Sequence, residues 1–528
     1  MLADVAQNYT FLSAQKSLDS EYKRNDYLKE NFKYVEPKEI IFNPKEAKEG
    51  KEPKAVMHYV PIIETVINLV QDPTFLDVSE STFSNNHDSV LRDVKDGLMY
   101  KNNQYFIDNP EALAILLYSD GVELVNPLGA GRGKHKVIQI FLTFGEIPKN
   151  QRSKIDRIQL VAIVKEKVAK QFVFKKVYQQ IVEDLKLLEK GITVYQPVQR
   201  VVKCGLLLYP ADNLEAHAVG GFSQSFSSRD ICRFCHIQYD DLQVNIHDYG
   251  SKQHNKWSKQ EYDRAAKAAE DKMKPSDDIY DDDSSESEAL SSAEDGSGSE
   301  ESEDEGQRFG VKHRCPLNSL QAFHSVSGFP PDLLHDIFEG IVSQDLLGII
   351  RILKCKGWFS IEEYNVNLKS IKYKSNEASD KPEKVPDNMK VKKLVGKAVS
   401  NWTHIRNFCL LIRKFVQNKE EPALLLGLQL HEIVERVTAN EFREFEISVL
   451  EDKIIDYLDC RQTLYNEYPH LLGSAKPKTH HLTHYPEAIV NFGPLMNYWT
   501  ARYESRHRIG KSTAESAKNF KEIPHSKL

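Results

Sequence analysis

Residues 113–144 read "LAILLYSDGVELVNPLGAGRGKHKVIQIFLTF". Two apolar runs of strand length flank a basic, glycine-rich turn, "NPLGAGRGKHK". An apolar run that ends in "SDG" reads as a buried strand entering a turn. "VIQIFLTF" is then a second strand, and "IQLVAIV" (158–164) a third, close enough for hairpins. The period changes over 165–190, where Phe174, Val177, Ile181, Leu185 and Leu188 recur every three or four residues. That is one apolar face of a helix. "VVKCGLLLYPADN" (201–213) is a fourth strand that returns over this helix and runs into a turn. The order β-β-β-α-β predicts an α/β protein with a mixed sheet.

Away from this core the pattern differs. Residues 1–55 are polar and rich in Lys and Glu, and "VMHYVPIIETVINLVQ" (56–71) reads as a short amphipathic helix. Residues 1–105 are therefore expected to be a polar, helical region, with no zinc-finger or helix-turn-helix pattern. After Asp212 the strands stop. Residues 328–354, 394–417, 421–439 and 441–467 read as helices, and 496–520 as a basic helix containing a glycine. The chain thus divides into a strand-rich part (106–230), a largely helical part (231–490) and a closing basic segment (491–528).

The net charge of −7 conceals a contrast. Residues 277–305 carry fourteen acidic side chains and no basic one, so the rest of the chain carries +7. A mildly basic body suits a nucleic-acid partner without requiring one. The acidic, Ser-rich stretch (about 270–306) has no periodicity and is expected to be disordered. No apolar run approaches the roughly 18 residues of a membrane span. The N-terminus lacks the charge and apolar order of a signal peptide. Seven scattered cysteines, an odd number, argue for a reducing compartment rather than a disulfide framework.

Several residues could carry chemistry. Asp120 and Asp212 each follow an apolar strand directly, in "LLYSD" and "LLLYPAD". If the first and fourth strands are neighbours, the two carboxylates emerge at strand ends and can converge on a metal pair. Each alone also reads as an ordinary turn residue. "CRFC" places Cys232 and Cys235 at the spacing of half a zinc site or a redox pair. It lacks the βαβ setting of a redox motif. In "HHLTHYPEAI", His480 and His484 lie four apart, so the four residues make a plausible Cys2His2 zinc site, with His481 competing for one place. Asp332, Asp336 and Glu339 share one face of an expected helix and rival any third carboxylate. Arg132, Lys134, His135 and Lys136 in the glycine-rich turn, and Arg502, Arg506, His507 and Arg508 near the end, could contact phosphates.

Four blocks in this order are "YSDGVELVNPLGAGRGKHK", "ADNLEAHAVGGFSQSFSSRDICRFC", "GFPPDLLHDIFEGIV" and "PKTHHLTHYPEAIVNFGPLMNYWTARYESRH". Together they resemble the catalytic region of CACTA (En/Spm)-like DDE transposases, the animal branch especially, over about residues 110–520. The plan is similar to that of the V(D)J recombinase catalytic subunit. The resemblance implies an RNase H-like core with a large helical insertion between its fourth and fifth strands. It implies Asp120, Asp212 and Glu504 as a catalytic triad holding two Mg2+ (or Mn2+) ions. It further implies structural zinc on Cys232, Cys235, His480 and His484, and a functional His335 in "DLLHD". DNA is the implied partner, as transposon ends and target, with a homo-oligomer when active, no membrane and no small-molecule substrate. A nuclear location follows, and the C-terminal "SKL" is read as chance. The expected activity is DNA cleavage and strand transfer. A catalytically silent, host-captured DNA-binding protein and an RNase H-like nuclease are the alternatives.

Overall fold

A computed structural model describes residues 20–31, 34–42, 55–72, 75, 89–123, 136–171, 173–195, 198–224, 230–244, 246, 255–272 and 310–507. The central sheet has six strands. They are β1 (Lys38–Ile41), β2 (Val56–Tyr59), β3 (Leu113–Glu123), β4 (Lys136–Phe144), β5 (Gln159–Lys165) and, after the small hairpin of β6 (Ile192–Val194) and β7 (Arg200–Val202), β8 (Cys204–Leu208). Their order in space is β1-β2-β5-β4-β3-β8. All neighbours are antiparallel except β3 and β8, which are parallel. The hairpins and the returning fourth strand form and the sheet is mixed, but β3 runs through "SDG" to Glu123, so Ser119, Asp120 and Gly121 pair with Ile140, Gln139 and Ile138 where a turn was expected.

Helices cover both faces. Strand β3 shows how: Ile115 and Leu117 enter one apolar core, and Ala114 and Leu116 enter the other. This is the two-residue alternation of a strand buried on both sides. The first core contains α1 (Ile62–Val70) and α2 (Val173–Lys190), which packs Val177, Ile181, Leu185 and Leu188 inward. At the end of β8 lies α3 (Asn213–Gly220). The second core belongs to the helical unit: a π-turn over Leu334–Ile341, α4 (Val342–Cys355), α5 (Ile361–Ser370), α6 (Ala398–Arg406), α7 (Pro422–Val437) and α8 (Glu444–Glu467). A last helix, α9, spans 501–507.

Four further expectations change. Residues 56–71 are not one helix: Val56–Tyr59 pair with β5, and α1 begins only after Pro61. Proline has no N–H to continue a helix but suits its start, so it separates the two elements. With Lys38–Ile41 pairing on β2, the N-terminal region adds two strands to the sheet and is not purely helical. The fourth strand is split at Lys203, because Arg200–Val202 pair back on β6 while Cys204–Leu208 pair with β3. Finally, no strand among the described residues lies outside β8, where a fifth was expected. On that side the Tyr105 hydroxyl donates to the Cys204 carbonyl at 3.2 Å, and Tyr209 N–H to the Gly328 carbonyl at 2.7 Å. The acidic stretch, most of the basic turn and residues 508–520 lie outside the described residues.

The helical unit is locked by one buried ion pair. Arg461 on α8 donates from Nε to Asp345 Oδ2 on α4 at 2.8 Å and from Nη2 to Oδ1 at 3.0 Å. The Tyr457 hydroxyl donates to the same carboxylate. Both charges are 1 % exposed. Removing one partner strands the other in apolar surroundings. Arg461→Met should therefore destabilise the helical unit by about 3–5 kcal/mol in chemical denaturation.

Candidate metal centre and acidic cluster

The Cys232–Cys235 segment forms a tight knuckle. Ile231 N–H donates to the Ile237 carbonyl at 3.3 Å, and Phe234 N–H points at Cys232 Sγ at 3.4 Å. The two histidines sit where a short helix (Pro477–His481) tightens into a 3-10 turn (Leu482–His484). They meet the knuckle in the interior. Cys235 Sγ is 3.2 Å from His480 Nε2, Cys232 Sγ is 3.5 Å from His484 Nε2, and the two Nε2 atoms are 3.0 Å apart. All four residues are buried, and their ligand atoms lie within 4.8 Å of one another. Tetrahedral zinc with bonds of about 2.0–2.3 Å has edges of roughly 3.3–3.8 Å, so the set fits one ion after a small expansion. His480 Nδ1 faces the Ile246 carbonyl at 2.8 Å, which turns Nε2 toward the thiols. Burial pushes the Cys232 thiol up, but Cys235 and His484 beside it bring it well below the ordinary thiol range, favouring thiolate. The cluster could hold a metal such as zinc.

His481, the rival ligand, points elsewhere: its Nδ1 faces Asp336 Oδ1 at 3.3 Å. Asp336 accepts at the same oxygen from the Asn213 amide. The Asn213 oxygen in turn accepts from Arg233 in the middle of the knuckle, and Arg233 also donates to the Pro330 carbonyl at 2.9 Å. This chain of buried polar groups joins the clamp to the residue next to Asp212. Asp212 itself is the N-cap of α3 and accepts the Glu215 N–H at 2.7 Å.

Asp120 lies near the end of β3 on the same face as Tyr118, and β8, which leads to Asp212, is the adjacent strand. Tyr118 stacks on Tyr503 of α9 at 4.4 Å between centroids and 11° between planes. Phe141 and Ile158 complete that apolar patch. The stack seats α9 on the sheet beside Asp120. His507, one turn along, brings Nδ1 to 3.6 Å from Asp120 Oδ2. Glu504 lies 3.5 Å from His335 Nε2. Burial and the charge of Asp212 raise Asp120 to about 7. Burial also raises Glu504 to about 7, against the opposing pull of His335 and with Asp120 adding to the rise. Burial alone would lower His335, but Asp332, Glu504 and Asp212 raise it to about 10. The three carboxylates and His335 therefore share one electrostatic environment with more negative than positive charge. Among the described residues, only the thiol–imidazole group has three or more ligand atoms all within 4.8 Å. The Asp120 and Glu504 side chains are partly exposed, and each lies beside a histidine.

The rival carboxylates Asp332, Asp336 and Glu339 stay on one helical run, with the Asp336 N–H donating to the Asp332 carbonyl at 3.0 Å, but their side chains take different partners. Asp332 is buried and accepts from His335 and from Thr500, whose hydroxyl lies at 2.8 Å. Asp336 belongs to the clamp chain, and only Glu339 is exposed, 4.0 Å from His335 Nε2. The basic residues fare unevenly. Arg502 is buried, donates to the Met496 carbonyl and is lowered to about 10 by burial, so it faces the core rather than a phosphate. Arg506 is half-buried, and Lys136 pairs with Glu166 at 3.3 Å. Arg132 and Lys134 lie outside the described residues. Among the described residues, the cation beside Glu504 is His335 and not an arginine.

Glu215 is a site residue with no earlier assignment. Its carboxyl is buried, accepts from the Ser119 hydroxyl and is raised to about 8 chiefly by burial. The spacing Asp212-x-x-Glu215 is that of a capping box, a legible signal. The Glu215 carboxyl takes Ser119 of β3 instead of the cap N–H, tying α3 to the strand of Asp120.

Comparison with protein-family models and with curated proteins finds no match.

Structural zinc can contribute about 10 kcal/mol or more to the folding of its ligand segments. Cys235→Ser should drop bound zinc from one ion per chain to near none by metal analysis. Proteolysis should then open the segment around the knuckle. A mutant with unchanged zinc content would exclude Cys235 as a ligand.

Proposed function

We propose that this chain is the catalytic unit of a DDE-type DNA strand-transfer enzyme related to the CACTA transposases. The β5-β4-β3-β8 order, three hairpin strands with a returning fourth parallel to the first, supports an RNase H-like core interrupted by the helical insertion. One observation carries the functional reading. The Tyr118–Tyr503 stack holds Glu504, from the end of the chain, in the same electrostatic cluster as Asp120 and Asp212 on adjacent core elements.

Asp120, Asp212 and Glu504 would hold a pair of Mg2+ ions, and an open carboxylate set suits a cation that keeps several of its waters. Bound there, the ions would supply Lewis-acid stabilisation and an activated water for in-line attack on a phosphodiester. In the first step a water oxygen bonds to phosphorus, the bond to the 3′ oxygen breaks, and that oxygen takes up a proton. In the second step the freed 3′-OH attacks a phosphodiester of target DNA and displaces its 3′ oxygen. The protein's share is positioning. His335, fixed through Nδ1 by Asp332, presents Nε2 to Glu504 and holds that carboxylate in place. Thr500 fixes Asp332 from the first turn before α9, so insertion and closing segment share one anchor. The polar chain from the clamp holds the start of α3, and with it Asp212.

Glu504→Gln keeps shape and removes charge. It should abolish Mg2+-dependent plasmid nicking, a loss of at least about a thousandfold, while duplex DNA binding changes less than about threefold. Glu339→Gln should leave nicking nearly intact. Joining of a 3′-OH oligonucleotide to plasmid separates strand transfer from simple nuclease action. A wild-type chain that binds DNA but never cuts it with Mg2+ or Mn2+ would overturn the reading in favour of a silent DNA-binding protein.

A further inference from the structure

Between α5 and α6 the chain runs for 27 residues, 371–397, with only a 3-10 turn at Ser375–Asp380. This strap carries eight lysines against four carboxylates. It is nevertheless pinned to the helical unit at three places. Arg351 of α4, 4 % exposed, donates from Nη1 to the Val391 carbonyl at 2.9 Å and from Nη2 to the Asn388 carbonyl at 2.8 Å. Asn365 of α5 exchanges two hydrogen bonds with the Val385 backbone, at 2.8 and 3.0 Å. Leu394 N–H donates to the Ser343 carbonyl at 2.7 Å, and Val385 and Leu394 are buried beneath the strap. A buried arginine is thus committed to the backbone of a surface segment.

The charges on that fixed backbone are not neutralised locally. Asp387 pairs with Lys354 of α4, and Lys381 lies over the Tyr373 ring at 6.0 Å. The other seven lysines, Lys390, Lys392, Lys393 and Lys397 among them, are exposed and have no carboxylate partner among the described residues. A solvated lysine face on a helix alternates with acidic residues in i, i+4 pairs. Here the run 388–397 has four lysines and no acid at all. Holding the backbone rigid lowers the ordering cost when a polyanion binds.

The strap also lies close to the carboxylate cluster. Ser343, which holds Leu394, stands eight residues beyond His335 on the same helical run. That is about 12 Å along a helix axis, against about 34 Å for one turn of B-DNA. We infer that the strap 371–397 is a phosphate-backbone binding surface, which holds duplex DNA beside the carboxylate cluster without reading its sequence. The inference rests on the DNA strand-transfer reading only for the identity of the polyanion.

The test is charge reversal of three exposed lysines, Lys390→Glu, Lys392→Glu and Lys393→Glu together, in the full chain. Their side chains make no hydrogen bond or ion pair with the described residues, so thermal unfolding should be unchanged. Binding of a fluorescent duplex without divalent cation should weaken at least about tenfold, and the slope of log affinity against log salt should fall by about one per lysine engaged. Unchanged affinity and slope would overturn the inference. So would tighter binding, the result expected if the chain's own acidic run 277–305 were the occupant. Plasmid nicking by the wild-type chain is read separately. Nicking with an unaffected salt slope sinks the strap alone, and a lowered slope without nicking sinks the catalytic reading alone.

Discussion

The parallel ladder between β3 and β8 is the constraint on which the rest depends. It pairs Leu113 with Cys204 and Ile115 with Leu206, with one register shift before Leu116 reaches Leu208. Both strands are buried on both faces, so their register is fixed by two cores at once. A slip of one residue would turn Asp120 to the opposite face and exchange it with Ser119. Asp120 would then face α3, and α9 would meet a serine. The ladder thus decides which residues share the cluster, and the aromatic stack and the polar chain to the clamp act on a geometry already set.

The protein handles buried charge in two contrasting ways. In the helical unit Asp345 meets Arg461 in a two-pronged pair, and nothing further is needed. In the cluster, Glu504 faces His335, whose Nδ1 is already committed to Asp332, and Asp120 faces His507. The first arrangement is closed and structural. The second leaves its carboxylates partly exposed, each beside a single imidazole. The same contrast separates Arg351, committed to two strap carbonyls, from the exposed lysines that the strap displays.

Much of this was legible in the residues, and the limits have physical reasons. The strands β3, β4 and β5, helix α2 and the start of β8 follow from periodicity, because long buried elements repeat one signal many times. The clamp was legible because cysteine and histidine spacings carry ligand chemistry directly. Strands β1 and β2 were not: each has only four residues, too few to show a period. The π-turn at Leu334–Ile341 was hidden as well, since its residues suit an α-helix, and only the tertiary partners Thr500 and Asn213 show that Asp332 and Asp336 serve different contacts. Arg502 reads as surface charge in any window, and its burial depends on where Tyr503 stacks. Glu215 was concealed by its cap spacing, which accounts for its position and not for its bond to Ser119.

The clamp joins two points of the chain 245 residues apart, Cys235 and His480. With a metal in place, everything between them becomes a ring. In the unfolded chain, closing a loop of that length removes conformational freedom worth on the order of 5 kcal/mol, and the cost grows only with the logarithm of its length. Residues can therefore be added to or lost from the ring with little effect on the geometry at its neck, where Arg233 and His481 hold Asn213 and Asp336. The neck insulates the carboxylate cluster from the length of the ring. Such a ring is where a lineage can lodge a long run of acidic residues between Lys272 and Gly310 and keep the cluster intact.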